Sequence, residues 1–412
     1  MKGNCLVAQS GGPTSAINAS LAGVYLEMSK SPDVGKVYGG INGIQGVIEE
    51  KLLELGPILD TEDKIKLLRQ TPSASLGSCR FKMKTPADQP VEYTQIFNVF
   101  EKYDIRYFIY IGGNDSMDTV SKLGEYAKDL GREMIFMGVP KTIDNDLVGT
   151  DHTPGFGSCA KYVATSLHEI AQDNMVYDMD CAVIVEVMGR DAGWISLAAG
   201  LARDGDNQPH CDMIYAPEMP FITEKFLEDM AAARAKKRQV LVAVSEGIKD
   251  EDGAYIADTG ITDAFGHQLL GGVGTVLSNL IRDQLKIKVR AIELSLLQRC
   301  AAHYASAIDL AESESLGRFA AKGALEGQTA KMAAIRRLSD KPYQTELCFA
   351  DVREVANAVK TVPADFFTPA RNLASEKGLA YLLPLITGTN ESILENGIPS
   401  YLNLASIYAK KG

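Results

Sequence analysis

Short apolar runs that break at glycine and give way to a helical period set the first limit on what this chain can become. "CLVAQSGG" leads into "PTSAINASLAGVYLEM", "YFIYIGGNDS" into "MDTVSKLGEYAKDL", and "CAVIVEVMGRDAG" into "WISLAAGLARDG". "MIFMGVPKTIDND" reaches "SCAKYVATSLHEIAQDN" after a loop, and "QVLVAVSEG" follows later. A run without polar alternation is buried on both faces, and the helix after it supplies the cover. The pattern predicts an α/β fold, a parallel sheet with helices on both faces. Ligands of such sheets gather beyond the carboxyl ends of the strands, where all the polar punctuation of this chain falls.

At 412 residues the chain exceeds what one core usually serves, so two packed lobes are expected. After about residue 325 the punctuation fades, and the tail around "PADFFTPARNLASEKGLAYLLPLITG" reads as an extension packed over both lobes. Apolar content of 46% with 23% charged residues is ordinary for a soluble enzyme. A net charge of −11 argues against nucleic acid as a partner, because phosphate backbones select basic surfaces. The seven cysteines are scattered without a CxxC pair, which suits free thiols in a reducing cytoplasm and lacks the spacing of a zinc site. No cleavage signature opens the sequence and no apolar run approaches roughly 18 residues, so neither a signal peptide nor a membrane span is expected.

Two glycine loops follow strands. Ser10-Gly11-Gly12-Pro13-Thr14 reads equally as a phosphate cradle, with helix N–H groups aimed at an anion, or as a tight turn with a hydroxyl cap. Gly112-Gly113-Asn114-Asp115-Ser116 repeats the geometry, but Asp115 either places a carboxylate where an extended nucleotide would pass or is simply an N-terminal helix residue favoured by the dipole. No GxxxxGK[ST] occurs, and Gly155-Phe156-Gly157 follows a loop instead of a strand, so the common nucleotide fingerprints are absent. The stretch "GVPKTIDNDL" carries Lys141, Asp144 and Asp146 directly after an apolar run, more charge than a turn requires. Arg80, Arg190, Glu246, Arg290 and Arg299 also stand near the ends of apolar runs, and several arginines on one edge favour a phosphorylated substrate. The five histidines show no ligand or triad spacing and read as structural. Ser245 lacks the GxSxG elbow of a hydrolase.

Taken in order, "SGGPTSAIN", "GSCRF", "IGGNDS", "PKTIDND", "VEVMGRDAG", "VSEG" and "LLQR" resemble the motif series of the phosphofructokinases, and within that family its pyrophosphate-dependent members. The resemblance implies two Rossmann-like lobes with the site between them. It assigns residues 1–140, completed by part of 250–330, to the donor, residues 141–250 to the sugar phosphate, and 330–412 to a C-terminal extension. It implies reversible phosphoryl transfer from pyrophosphate to the 1-hydroxyl of fructose 6-phosphate with Mg²⁺, as in glycolysis. Asp144 then matches the catalytic base, with Thr142 and Asp146 contacting substrate or the hydrated metal. Met188, Gly189, Arg190, Glu246 and Arg299 match sugar-phosphate contacts. Arg290 matches an arginine that reaches a neighbouring subunit's substrate, which implies a homodimer, with a tetramer as the alternative. Gly11, Gly12, Arg80, Gly113 and Ser116 fall on the donor side.

Donor choice turns on Asp115 and Lys141, where ATP-using members carry glycine. The carboxylate repels an α-phosphate and removes room, while the lysine replaces charge stabilisation at the transferring group. Asn114 stands where the family has a metal-associated aspartate, which weakens the metal site and leaves Asp146 or Asp144 to carry more of it. Leu296 replaces a histidine or tyrosine beside the sugar phosphate and leaves the acceptor range open. Cys181, Ala22 and Leu26 replace interface and effector-binding arginines of bacterial ATP-dependent members, which argues against ADP activation. An ATP-dependent sugar-phosphate kinase and a non-catalytic regulatory subunit are the alternative readings.

Overall fold

Side chains along the first strand, β1 (Gly3–Gln9), alternate between two cores. Cys5 and Val7 enter one with the helices Ile17–Met28 and Ala307–Leu325, while Leu6 and Ala8 enter the other with Phe97, Phe100, Val120 and Leu123. The period of two in an extended chain, sandwiched by helices, turns one strand into the wall between two apolar layers. The computed structural model describes residues 1–176, 178–262, 268–356 and 358–410; His267 lies outside them.

Six more strands join β1: β2 (Val34–Gly40), β3 (Leu52–Glu54), β4 (Ile105–Gly112), β5 (Ile135–Pro140) and, far along the chain, two from residues 331–351. A second sheet uses β6 (Cys181–Val187), β7 (Met213–Tyr215) and β8 (Gln239–Ser245). After a small antiparallel pair, β9 (Asp258–Thr262) with β10 (Gln268–Leu270), it is completed by β11 (Lys288–Glu293). The C-terminal strands of the first sheet are β12 (Lys331–Asp340) and β13 (Tyr343–Asp351). The first sheet runs β13-β12-β5-β4-β1-β2-β3, parallel through its centre with an antiparallel strand at each edge. The second runs β11-β6-β8-β7 and is parallel throughout. Every residue of β6 is buried, whereas β11, a charged edge strand, has only exposed and half-buried positions.

These connections revise the expected boundaries. Residues 331–351 are no overlying extension but part of the first sheet, because "KMAAI" is buried between its two apolar layers. The stretch 250–330 is divided: β11 and the helix Val273–Leu285 serve the second lobe, while the helix Ala307–Leu325 covers the first. The remaining tail docks in pieces, with Tyr381 and Leu382 in the second lobe's core and Leu404 in the first's.

The helices Ile17–Met28 and Ala307–Leu325 cross at two glycines. A Cβ on Gly23 would stand 2.1 Å from the Glu314 carbonyl oxygen, and one on Gly317 would stand 2.1 Å from that of Ser20. Alanine would gain about 1 kcal/mol of helix propensity at either place, but overpacking costs about 1–3 kcal/mol and the obstacle is rigid backbone. Gly317→Ala should therefore lower stability by about 1–2 kcal/mol in urea unfolding. A stability equal to or above the parent's would show that the helices can part freely.

Candidate active site

Where the strand ends of both sheets converge there is a cleft of about 420 Å³, lined from each lobe. This is a normal size for a small-molecule site, and its wall is crowded with charge.

On the first lobe two loops form one wall. Gly11 has φ +74°, and a Cβ there would come within 3.0 Å of Lys141 Nζ, so glycine lets the lysine approach. Lys141 Nζ donates to the Gly12 carbonyl at 2.7 Å. The helix after this loop is capped from within: Thr14 Oγ1 accepts from the amides of Ala16 (3.2 Å) and Ile17 (3.0 Å). Those N–H groups are taken, so the hydroxyl-cap reading holds for the helix end itself. The second loop differs. Gly113 caps the helix Asn114–Asp129 without any side-chain bond, and Asn114, Asp115 and Ser116 line the cleft at its N-terminus, the favoured end for an anion. Ser10 and Ser116 hydroxyls hydrogen-bond each other and tie the two loops together. Arg80 lines the same wall, and Asp115 forms an ion pair with Lys82 at 3.3 Å.

The floor is the loop after β5. Lys141 is 2% exposed, and burial pulls its pKa down to about 8 against the pull of Asp144 and Asp146. Thr142 Oγ1 accepts from the Asp144 amide (3.1 Å) and donates to its carboxylate (3.2 Å), which fixes that side chain. Burial raises Asp144 in spite of Thr142, Lys141 and Arg190, and burial with the charge of Asp144 raises Asp146 to about 7. Both carboxylates remain partly open to the cleft, so water there moderates these shifts. Between them Asn145 turns the chain with φ +53° and is anchored by Tyr381 and the Thr153 amide.

The second lobe supplies the opposite wall. Met188 and Arg190 follow β6, and Glu246 follows β8. Glu246 accepts from the Gly189 amide at 3.4 Å, and burial together with Asp144 lifts its pKa to about 7. Arg190 Nε is buried without a hydrogen-bond partner. Arg299 comes close to the donor loop, its Nη1 3.5 Å from where a Gly12 Cβ would be, and burial and Arg80 lower its pKa. Of the expected positions, Gly189 contributes through its amide, and Arg290 lies outside the cleft, exposed on β11.

Hard oxygen donors are at hand for a cation. Asn114 Oδ1 is buried without a partner, while its amide nitrogen donates to Ala358 O at 2.8 Å, and Asp144 and Asp146 repel each other nearby. Among the described residues no group of three His, Cys, Asp or Glu side chains could hold a metal alone. The set fits Mg²⁺, which takes one or two carboxylates and completes its shell from waters and substrate phosphates. Sequence reasoning missed Val359, which lines the cleft, and Lys360 beside it. They lie in "NAVKTVP", a stretch with no glycine turn and no motif to mark it.

The phosphofructokinase family pattern matches residues 4–357. The chain belongs to the phosphofructokinase family. A pyrophosphate–fructose 6-phosphate 1-phosphotransferase of Halomonas elongata is 41% identical over 98% of this chain and 96% of its own. One of Methylococcus capsulatus is 40% identical over 99% and 97%. The crystal structure of a pyrophosphate-dependent phosphofructokinase from Nitrosospira multiformis superposes with a TM-score of 0.88 at 36% identity, covering 97% of this chain and 96% of that one. Among the described residues no helix is long and apolar enough to cross a membrane.

Behind the floor, one histidine is structural. His152, 3% exposed, lies between Asp151 Oδ2 (2.8 Å) and Glu312 Oε2 (2.7 Å), and Arg337 also donates to Asp151. Burial opposes its charge, but the two carboxylates outweigh it and raise its pKa above the ordinary 6.5, while both carboxylates are lowered. With a carboxylate oxygen at each nitrogen, the doubly protonated cation is the form that donates to both. Its stabilisation is complete below about pH 6.5 and is lost as pH rises through the higher folded value; that of the carboxylates is lost only near their own, lower values. The difference in melting temperature between the parent and His152→Gln should thus be largest at about pH 5–6 and shrink toward pH 9. A difference that stays flat over that range would mean a neutral ring.

Proposed function

We propose that the cleft transfers a phosphoryl group from pyrophosphate to the 1-hydroxyl of fructose 6-phosphate, giving fructose 1,6-bisphosphate and phosphate in a reversible reaction. The observation that carries this reading is Lys141, an ammonium buried on the floor between the glycine loops and Asp144. Asp144 takes the proton of the sugar's 1-hydroxyl as that oxygen forms its bond to phosphorus and the bridging P–O bond breaks toward the departing phosphate. The chemistry needs placement and charge neutralisation more than covalent help. Lys141, the N-terminus at Gly113 and Arg80 meet the donor, and Arg190, Glu246 and Arg299 meet the acceptor. Mg²⁺, held in part by Asp144, Asp146 and Asn114, would neutralise charge on the donor oxygens.

The relatives' names support pyrophosphate as donor, and so does the wall. Asp115 at the start of its helix opposes a longer polyphosphate by charge and by space. Its ion pair with Lys82 adds a consequence: removing the carboxylate also releases a cation at the mouth of the donor site. Arg290, exposed on an edge strand, supports a homodimer in which it reaches the partner's sugar phosphate.

The test is phosphoryl transfer with Mg²⁺, comparing pyrophosphate and ATP at equal concentration. Activity with pyrophosphate alone is expected; activity with ATP alone would overturn the donor assignment. Asp115→Gly should admit ATP, and Lys141→Gly should abolish use of pyrophosphate. An Asp115→Gly variant that takes ATP no better than the parent would remove the blocking argument.

Asp144→Ser should lower kcat by about 10³-fold or more with little change in KM, because the base acts only as the bond forms. Near-normal turnover would remove Asp144 from the mechanism.

A further inference from the structure

Residues 358–362 cross the cleft region as a strap, with a bond to each part of the site. The Ala358 carbonyl accepts from Asn114 on the first lobe, and Val359 lines the cleft. The Lys360 amide donates to the Asp146 carbonyl at 2.7 Å. On the second lobe Trp194 Nε1 donates to the Lys360 carbonyl at 2.8 Å, and the Val362 amide donates to Glu218 at 2.9 Å. Glu218 holds the Gly193 amide with the same oxygen, just beyond Arg190.

The side chain of Lys360 turns inward from a partly exposed stem. Its ammonium donates to Asp151 O at 2.6 Å, Thr150 O at 3.2 Å and Asn145 Oδ1 at 3.3 Å. All three acceptors belong to the loop that begins with Asp144. A fourth contact is the face of Trp194, 5.2 Å from the ammonium. For packing alone an uncharged side chain would serve better, because an inward ammonium loses hydration that neutral carbonyls only partly replace. What the charge can do is bind several convergent loop oxygens at once and lie beneath carboxylates that repel each other. Burial pulls Lys360 down to about 8, and Asp151 and Asp146 oppose that.

We propose that Lys360 is a positioning residue for phosphoryl transfer: its tripod of hydrogen bonds holds the loop bearing Asp144 and Asp146 in place, and the strap fixes that loop relative to both lobes. The proposal rests on the reaction proposed above. Lys360 does not line the cleft, whereas Val359 beside it does, so it acts through the loop.

Lys360→Met and Lys360→Arg, compared with the parent at saturating Mg²⁺ and both substrates, provide the test. The Met variant should lose about 100-fold in kcat while KM for each substrate moves less than about threefold, and Arg, which keeps the charge but not the tripod, should recover part of the loss. Without substrate, amides of residues 142–153 should exchange about tenfold faster in the Met variant and the rest of the chain as in the parent. Parent-like kcat with unaltered exchange overturns the proposal, and so does a loss of kcat with faster exchange throughout, which is the mark of general destabilisation. If the Met variant does not fold, the Arg variant decides: a lower kcat at unchanged KM supports the tripod, and a parent-like kcat overturns it. If the parent itself transfers nothing from pyrophosphate, the functional reading fails instead, and exchange at 142–153 alone judges whether Lys360 holds the loop.

Discussion

Lys141 keeps its charge in a place almost closed to water, and much of the surrounding architecture follows from that. Its ammonium has the Gly12 carbonyl as a hydrogen-bond acceptor and two carboxylates within electrostatic reach. A buried charge so sparsely paired is costly unless its partners are held still, because small displacements in a medium of low dielectric change the energy steeply. The chain holds them from several sides. Gly11 gives the lysine its approach, Thr142 pins Asp144, and Asn145 is tied to Tyr381 from the C-terminal tail. The ammonium lies against Gly11 and Gly12 of the first glycine loop, where, in the reaction proposed above, a pyrophosphate oxygen would meet it.

The two glycine loops look alike in sequence but perform different tasks. Each follows a parallel strand and each lines the cleft. In the first, Pro13 and Thr14 move the helix away from the glycines, and the threonine takes the free amides. In the second, the helix starts immediately after Gly113, so its N-terminus opens into the cleft. The first loop thus places a carbonyl and a lysine, and the second presents a helix end. The distinction rests on one or two residues between glycine and helix.

What could be read from the sequence were the residues at strand ends, because a parallel sheet collects them on one edge whatever the rest of the topology. Lys141, Asp144, Arg190 and Glu246 were found that way. Residues 331–351 were assigned to the C-terminal extension instead, since they join the first sheet without a phosphate loop to mark them and finish in an antiparallel pair. The strap was invisible for a related reason. Its contacts run from Asn114 to Ala358 and from Asn145 to Lys360, and nothing local in "NAVKTVP" requires them. Arg290 shows the reverse: its resemblance was legible, but its position outside the cleft follows from which strand forms the sheet edge.

The cleft keeps like charges together on both sides. Arg80 disfavours the charge of Arg299, and the Asp144 carboxylate raises the pKa of both Asp146 beside it and Glu246 on the opposite wall. In a chain of net charge −11 such local cations are not the product of overall composition. In the reaction proposed above, anionic substrates and a cation would meet these like charges, so that charge complementarity is available for binding and for the transferring group. The His152 cluster sits behind the loop, and the glycine crossing joins the helix of the first glycine loop to Ala307–Leu325, which bears Glu312 of that cluster. The helix that packs in the first lobe's core therefore also bears the carboxylate that holds His152, so one element serves both that core and the loop after β5.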